Sequence, residues 1–326
     1  MLDLDKMTEY TSPIQGDLDL FTQKLHDHLQ GDSPLISSIA KHLLKSRGKR
    51  IRPVFLFLSS RAGDNFTDFS VDASLSIELI HTATLLHDDV VDESDMRRGQ
   101  ETVNSQWTNL ISVLMGDYLF AKAFSMMVEA NSIELMRSIS KATERVAIGE
   151  LRQIEETANY DLSEDEYLTI ISDKTASLFA VSCEAGPILN NRGEKDRTRF
   201  ANFGEKIGIA FQIADDLLDY VGNAETTGKE PGIDVLTGQM TLPLIYSLQK
   251  SNTASRNEIV KMLKSKDKNS FKKVYDFVVE TGGIDYAYQK ANSLAQEGLD
   301  SISSCQHNIY YKRLEDMVKF TTARAS

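Results

Sequence analysis

Apolar residues recur every three or four positions along most of the chain, and alternating strand patterns are nearly absent, so helices are predicted almost throughout. Leu20, Phe21, Leu25 and Leu29 mark an early amphipathic helix. Ser33-Pro34 supplies an N-cap and a first-turn proline for the next, and a third begins near Pro53 and ends around Gly63. Longer helices are expected over about 70–93, 104–128, 131–157, 163–189 and 195–221. A Gly-rich loop covers 222–239, and four shorter helices follow it. No repeat, low-complexity tract or composition break marks a linker. The expected architecture is therefore a single all-α domain, residues 1–326, with long helices bundled around a central cavity.

With 41% hydrophobic and 26% charged residues, the chain has the balance of a globular protein. Its net charge of −12 argues against a general nucleic-acid binder, which needs basic phosphate contacts. No run of about 18 uninterrupted apolar residues occurs, so no membrane span is expected. The start of the chain, Met1-Leu2-Asp3-Leu4-Asp5, lacks the basic-then-apolar pattern of a signal peptide. Cys183 and Cys305 are the only cysteines and make no disulfide framework, which fits a reduced, cytoplasmic setting.

The candidate chemistry lies in two acidic clusters of identical spacing, Asp88-Asp89-Val90-Val91-Asp92 and Asp215-Asp216-Leu217-Leu218-Asp219. Each ends an apolar helical stretch. At about 100° per residue, the first and fifth positions fall on one face, so Asp88 pairs with Asp92 and Asp215 with Asp219, each pair with an extra carboxylate beside it. Acids near a helix carboxyl end oppose its dipole, and facing clusters repel each other unless cations intervene. Hard oxygen ligands of this kind suit Mg²⁺ shared with a phosphate. Gly48-Lys49-Arg50-Ile51-Arg52-Pro53 sets three cations before a helix start, and Arg97-Arg98-Gly99 follows the first cluster; both suit phosphate groups. His81 lies two turns before Asp88, Gln212 three residues before Asp215, and Lys174-Thr175 sits within a helical segment. Lys229 and Asp234 fall in the Gly-rich loop, a place for a lid. Each of these alone also has an ordinary structural reading; together they surround one cavity.

The segments GKRIRP (48–53), IHTATLLHDDVVDESDMRRG (80–99), MGDYLFAKAF (115–124), GE..Q (149–153), KTA (174–176), GIAFQIADDLLDYVG (208–222), GKEPGID (228–234) and TLPLI (241–245) resemble, in order, those of trans-type isoprenyl diphosphate synthases. The block around the first cluster is most similar to the polyprenyl branch, such as octaprenyl diphosphate synthase. The resemblance implies head-to-tail condensation of isopentenyl diphosphate with an allylic diphosphate, dependent on Mg²⁺ (up to three ions), in a homodimer. It implies that Asp88, Asp89, Asp92, Asp215 and Asp216 hold metal on the allylic diphosphate, with Asp219 completing the second cluster through water. Arg97 would grip the same diphosphate. Lys49, Arg52, His81 and Arg98 would bind isopentenyl diphosphate, and Lys174, Thr175, Gln212 and Lys229 would line the reacting centre. The sequence departs from the family at Arg47, where a second glycine is usual, and at Gln239, where a lysine is usual.

In this family bulky aromatics four and five residues before the first cluster stop elongation early. Here those positions are Thr84 and Ala83, with Ile80 a turn further. A turn spans about 5.4 Å, close to one isoprene unit. The expected product is therefore longer than farnesyl, hexaprenyl to decaprenyl, with a floor among Phe120, Phe124, Met127 or Met136; geranylgeranyl or farnesyl is the alternative. A non-catalytic partner subunit should have lost acids or arginines from these clusters, and this chain keeps them. A terpene cyclase would not need GKRIRP or the second acidic repeat.

Overall fold

Phe55-Leu56-Phe57-Leu58 has no polar break, and a helix that is apolar on every side must lie at the centre of a bundle. The computed structural model describes residues 4–30, 33–45, 48–62, 67, 69–97, 99–129, 131–221, 232, 235, 237–265, 270–305 and 308–322. Arg47, Arg98, Lys229 and Asp234 lie outside the described residues. The chain begins with α1 (Leu4–Thr11), α2 (Gln15–Leu29), α3 (Pro34–Lys45), α4 (Ile51–Ala62) and α5 (Phe69–Val91). A two-residue hairpin, β1 (Met96–Arg97) with β2 (Gln100–Glu101), leads into α6 (Val103–Gln106), α7 (Asn109–Glu129) and α8 (Ile133–Glu155). Then come α9 (Glu164–Ile171), a π-helical turn Ser172–Ala176, α10 (Ser177–Leu189) and α11 (Glu194–Val221). The last are α12 (Leu242–Lys250), α13 (Thr253–Ser265), α14 (Phe271–Glu280), α15 (Gly283–Ser301) and α16 (Ile309–Thr322).

The all-α expectation holds, and α4, α5, α10 and α11 form the centre, with Phe55, Leu75, Phe179 and Phe203 wholly buried. Several boundaries differ for local reasons. The helix expected over 104–128 is two, because Thr102 and Thr108 each accept from a backbone N–H one turn on (Ser105 at 3.4 Å, Ile111 at 3.2 Å) and start separate helices. Among the described residues five helices, not four, follow position 239, since Gly282 takes φ +78° and separates α14 from α15. The segment 163–189 carries a π-helical turn in its middle that periodicity does not reveal.

Among the described residues α7 alone has the length and composition of a membrane-crossing helix, a property that core helices share. It packs along α5, where Ser112 Oγ donates to the buried Leu86 carbonyl at 2.9 Å and Met115, Leu119, Ala123 and Met127 are covered. Its other face leaves Leu110, Leu114 and Val128 more than half exposed.

Candidate active site

The helical hydrogen bond from Asp92 N–H to the Asp88 carbonyl, 2.8 Å, carries α5 geometry through the first cluster, so these two acids share a face. Asp92 is exposed and Asp88 half-buried. The Asp88 carboxyl is pushed up to about 7, first by burial and then by the Glu150 and Asp92 carboxylates, against the opposing pull of Lys174 and Arg97. Asp89 points about 100° away. It is 4% exposed, and its Oδ1 accepts Nε of Arg97 at 2.6 Å. Gly99, at φ +75°, turns the β1–β2 hairpin that brings Arg97 back onto the helix. Such pairing offsets part of the cost of burying a carboxylate.

The π-helical turn is held on two sides. A Cβ on Gly149 of α8 would lie 2.4 Å from the Lys174 backbone nitrogen, and one on Gly208 of α11 would lie 2.5 Å from Ala176 Cα. Only glycine admits backbones this close. Arg145, one turn before Gly149, donates to Asp173 (2.8 Å), Ser172 (2.8 Å) and both oxygens of Glu205 (2.7 and 3.0 Å). Arg152 adds a 2.7 Å bond to Asp173. π-turns of this kind re-aim side chains. Here Lys174 Nζ donates to Glu150 Oε2 at 2.8 Å and acts on Asp88, while the next residue, Thr175, donates to Gln212 Oε1 at 2.7 Å. Gln212 Nε2 donates in turn to Asp216 Oδ1 at 2.7 Å, and the Tyr167 hydroxyl donates to Asp216 Oδ2 at 2.7 Å. Two successive residues thus tie the first acidic cluster to the second.

In the second cluster Asp216 is buried and Asp215 exposed. Asp219 is half-buried; its Oδ1 and its carbonyl both accept the Gly232 N–H, at 3.1 and 3.0 Å. Among the described residues no three His, Cys, Asp or Glu side chains form a ready metal cage. Carboxylates of Asp88, Asp92 and Glu150 gather at this face, Glu150 and Asp92 adding to the burial that raises the Asp88 carboxyl, so the donor set fits a hard divalent cation.

The cationic segment divides. Lys49 is exposed. Arg50, at φ +48°, lies over the Phe21 ring at 5.3 Å and donates to Thr22 Oγ1, and the Arg52 guanidinium lies over Phe179 at 4.9 Å. A cavity of about 130 Å³ brings together Gly48, Arg50, His81, Asp89 and Arg97 at a polar end and Leu25, Leu29 and Leu85 at an apolar one. Lys49 and Arg52 do not line it.

Ile80 and Ala83 are wholly buried, whereas Thr84 is half-buried and donates to the His81 carbonyl at 2.8 Å. A Cβ on Gly116 would lie 2.2 Å from His87 Nε2, so α7 crosses α5 closely beside Asp88. Phe120 follows a turn later, its ring 5.8 Å from that of His87. Phe124 and Met127 follow about one and two turns further along α7. Phe124 and Met136 are half-buried and Met127 is buried.

Two site residues escaped sequence reasoning. Glu150 sits inside the quoted GE..Q segment, and its signal was an acid next to the glycine that lets α8 approach Lys174. Tyr167 carried only the weak signal of a phenol within an apolar stretch.

Two acidic helix ends tied through a Lys-Thr π-turn, beside an arginine and histidine pocket, define a site for polyanionic, metal-associated substrates in an all-α scaffold. The polyprenyl synthetase family pattern matches residues 33–279, and the chain belongs to this family of prenyltransferases. It is 33% identical over 322 residues to the all-trans-nonaprenyl-diphosphate synthase (geranyl-diphosphate specific) of Rhodobacter capsulatus, covering 98% of this chain and 99% of that one. It is 32% identical over 325 residues to the octaprenyl diphosphate synthase of Haemophilus influenzae, covering 99% and 98%. The crystal structure of a polyprenyl synthase from Caulobacter crescentus complexed with calcium and isoprenyl diphosphate superposes with a TM-score of 0.92 at 32% identity, covering 99% of this chain and 98% of that one.

Proposed function

We propose that this chain is a Mg²⁺-dependent polyprenyl diphosphate synthase that adds isopentenyl diphosphate head-to-tail to an allylic diphosphate, giving an all-trans product of six to ten isoprene units. The carrying observation is the link between the clusters, with Lys174 beside Glu150 and Asp88 and Thr175 bonded to Gln212 and on to Asp216. A diphosphate lying between the acids would meet Lys174 and Arg97 from opposite sides. Mg²⁺ held by Asp88, Asp89, Asp92, Asp215 and Asp216, with Asp219 acting through water, would neutralise the charge that develops on the leaving diphosphate.

Arg97, fixed by Asp89, would hold that leaving group. When its C1–O bond breaks, the allylic cation is left beside Thr175 and Gln212, whose oxygens stabilise positive charge. His81, with Lys49, Arg52 and Arg98, would hold isopentenyl diphosphate so that its double bond attacks C1. A proton is then lost, and the departed diphosphate is the base nearest to it. Apolar walls exclude the water that would turn the cation into an alcohol. The Gly-rich loop with Lys229 would act as the lid.

The test is incubation of the purified protein with Mg²⁺, farnesyl diphosphate and labelled isopentenyl diphosphate, followed by chromatography of the dephosphorylated products. A ladder ending at six to ten units is expected; no incorporation with any allylic starter would sink the proposal. A stop at four units would instead assign a geranylgeranyl synthase.

The exposed stripe Leu110, Val113, Leu114 and Val128 on α7 supports a homodimer built on that face, because apolar patches of this kind cover protein interfaces. Leu114→Glu is expected to convert a two-chain species to a single chain in light scattering after gel filtration. A wild-type monomer, or an unchanged dimer in the variant, would overturn this interface. Cys183 and Cys305 are free, and a reducing compartment, the cytoplasm, is the proposed location.

A further inference from the structure

We infer that Tyr167 is a positioning residue for the second acidic cluster, a role that rests on the metal assignment made above. Asp216 is 8% exposed and Tyr167 3% exposed, so their contact lies in the interior. One carboxylate oxygen accepts the Tyr167 hydroxyl and the other accepts the Gln212 amide, both at 2.7 Å. Held at both oxygens, the carboxylate cannot rotate, and its remaining lone pairs point in set directions. Gln212 spends its own oxygen on Thr175, so the orientation of Asp216 and that of the threonine hydroxyl are set together.

The phenol is itself anchored. α9 starts at a capping box in which Ser163 and Glu166 exchange hydrogen bonds, and Tyr167 is the next residue. Glu164, at the same end of α9, accepts the Tyr286 hydroxyl at 2.7 Å and Lys290 at 2.7 Å, which ties α9 to α15. Lys290 keeps that tie when the Tyr286 hydroxyl is absent. Partners that orient ligating carboxylates typically contribute about 10–100-fold to metal affinity.

The test uses Tyr167→Phe, which removes one oxygen and keeps the buried ring, with Tyr286→Phe as control because it removes the equivalent tyrosine–carboxylate bond at the start of the same helix. Full-length proteins are titrated with Mn²⁺ in the presence of inorganic diphosphate, and free Mn²⁺ is read by electron paramagnetic resonance. Tyr167→Phe is expected to weaken Mn²⁺ binding roughly 10-fold or more, to need correspondingly more Mg²⁺ for half-maximal activity, and to recover activity at high Mg²⁺. Tyr286→Phe should bind Mn²⁺ as the wild type does. Binding by Tyr167→Phe as tight as wild type, or an equal loss in both variants, would overturn the inference while leaving the metal assignment intact. A wild-type protein that takes up no Mn²⁺ with diphosphate would sink both.

Discussion

Asp88→Asn is expected to abolish elongation and, in the same protein, to make the metal-free fold more heat-stable at pH 8. The two effects have one cause. The Asp88 carboxyl is pushed up to about 7 from an ordinary 3.8, by burial first and by Glu150 and Asp92 next. Between those pH values the unfolded chain has given up a proton that the folded chain keeps. The group's contribution to stability therefore falls as pH rises from about 4 to about 7, and stays low above that. The gap corresponds to at most about 4 kcal/mol, of which solvent and relaxation leave about half. The amide carries no charge to bury, so the metal-free variant should melt a few degrees higher at pH 8 and no higher at pH 4. Catalysis moves the other way, because losing a carboxylate proposed to hold metal would remove several kcal/mol of leaving-group stabilisation, a fall of about 1,000-fold or more. Melting curves at the two pH values and turnover at saturating Mg²⁺ check both halves. An active variant, or one that melts lower at pH 8, would show that Asp88 is a structural acid.

Thr84→Phe is expected to shorten the product from six to ten isoprene units to three or four, with the first condensation little affected. Thr84 is half-buried one turn before Asp88 on the same helix face, so a phenyl ring there would stand across the proposed path of the tail. Ala83, wholly buried, is a poorer choice, since an added ring would have to displace packed neighbours at a cost of about 1–3 kcal/mol or more. Phe120, beside His87, already stands near the first turn of that path, and Phe124 and Met127 lie beyond it. Chromatography of the products of wild type and variant under identical substrate ratios decides the matter. An unchanged ladder would mean that the tail runs elsewhere, and would direct attention to the apolar end of the cavity that His81 lines.

Much of this protein is written in short-range pattern. Helical periodicity specifies all-α structure because each helix must bury one face, and a five-residue spacing puts Asp88 with Asp92 and Asp215 with Asp219 whatever lies around them. Gln212 stood out by its offset of three residues from Asp215, whereas Lys174 and Thr175 were only a cation and a hydroxyl in a helical segment of mixed character, given a role by the family resemblance. What the sequence could not state is which side chains meet across elements. Asp89 turns to Arg97 because a glycine-turned hairpin returns the chain to α5. Glu150 reaches Lys174 from 24 residues away and Tyr167 reaches Asp216 from 49, and both contacts depend on how closely two helices pack. The π-helical turn exists because Gly149 and Gly208 let backbones press in from both sides and Arg145 ties its acids. The amino-acid pattern by itself thus determined the helices, the two acid pairs and the kind of chemistry they serve. Only tertiary packing decided which carboxylates are buried, which cation each one meets and how the two clusters are joined, because burial and hydrogen bonding between distant residues are properties of the assembled bundle and not of any one helix.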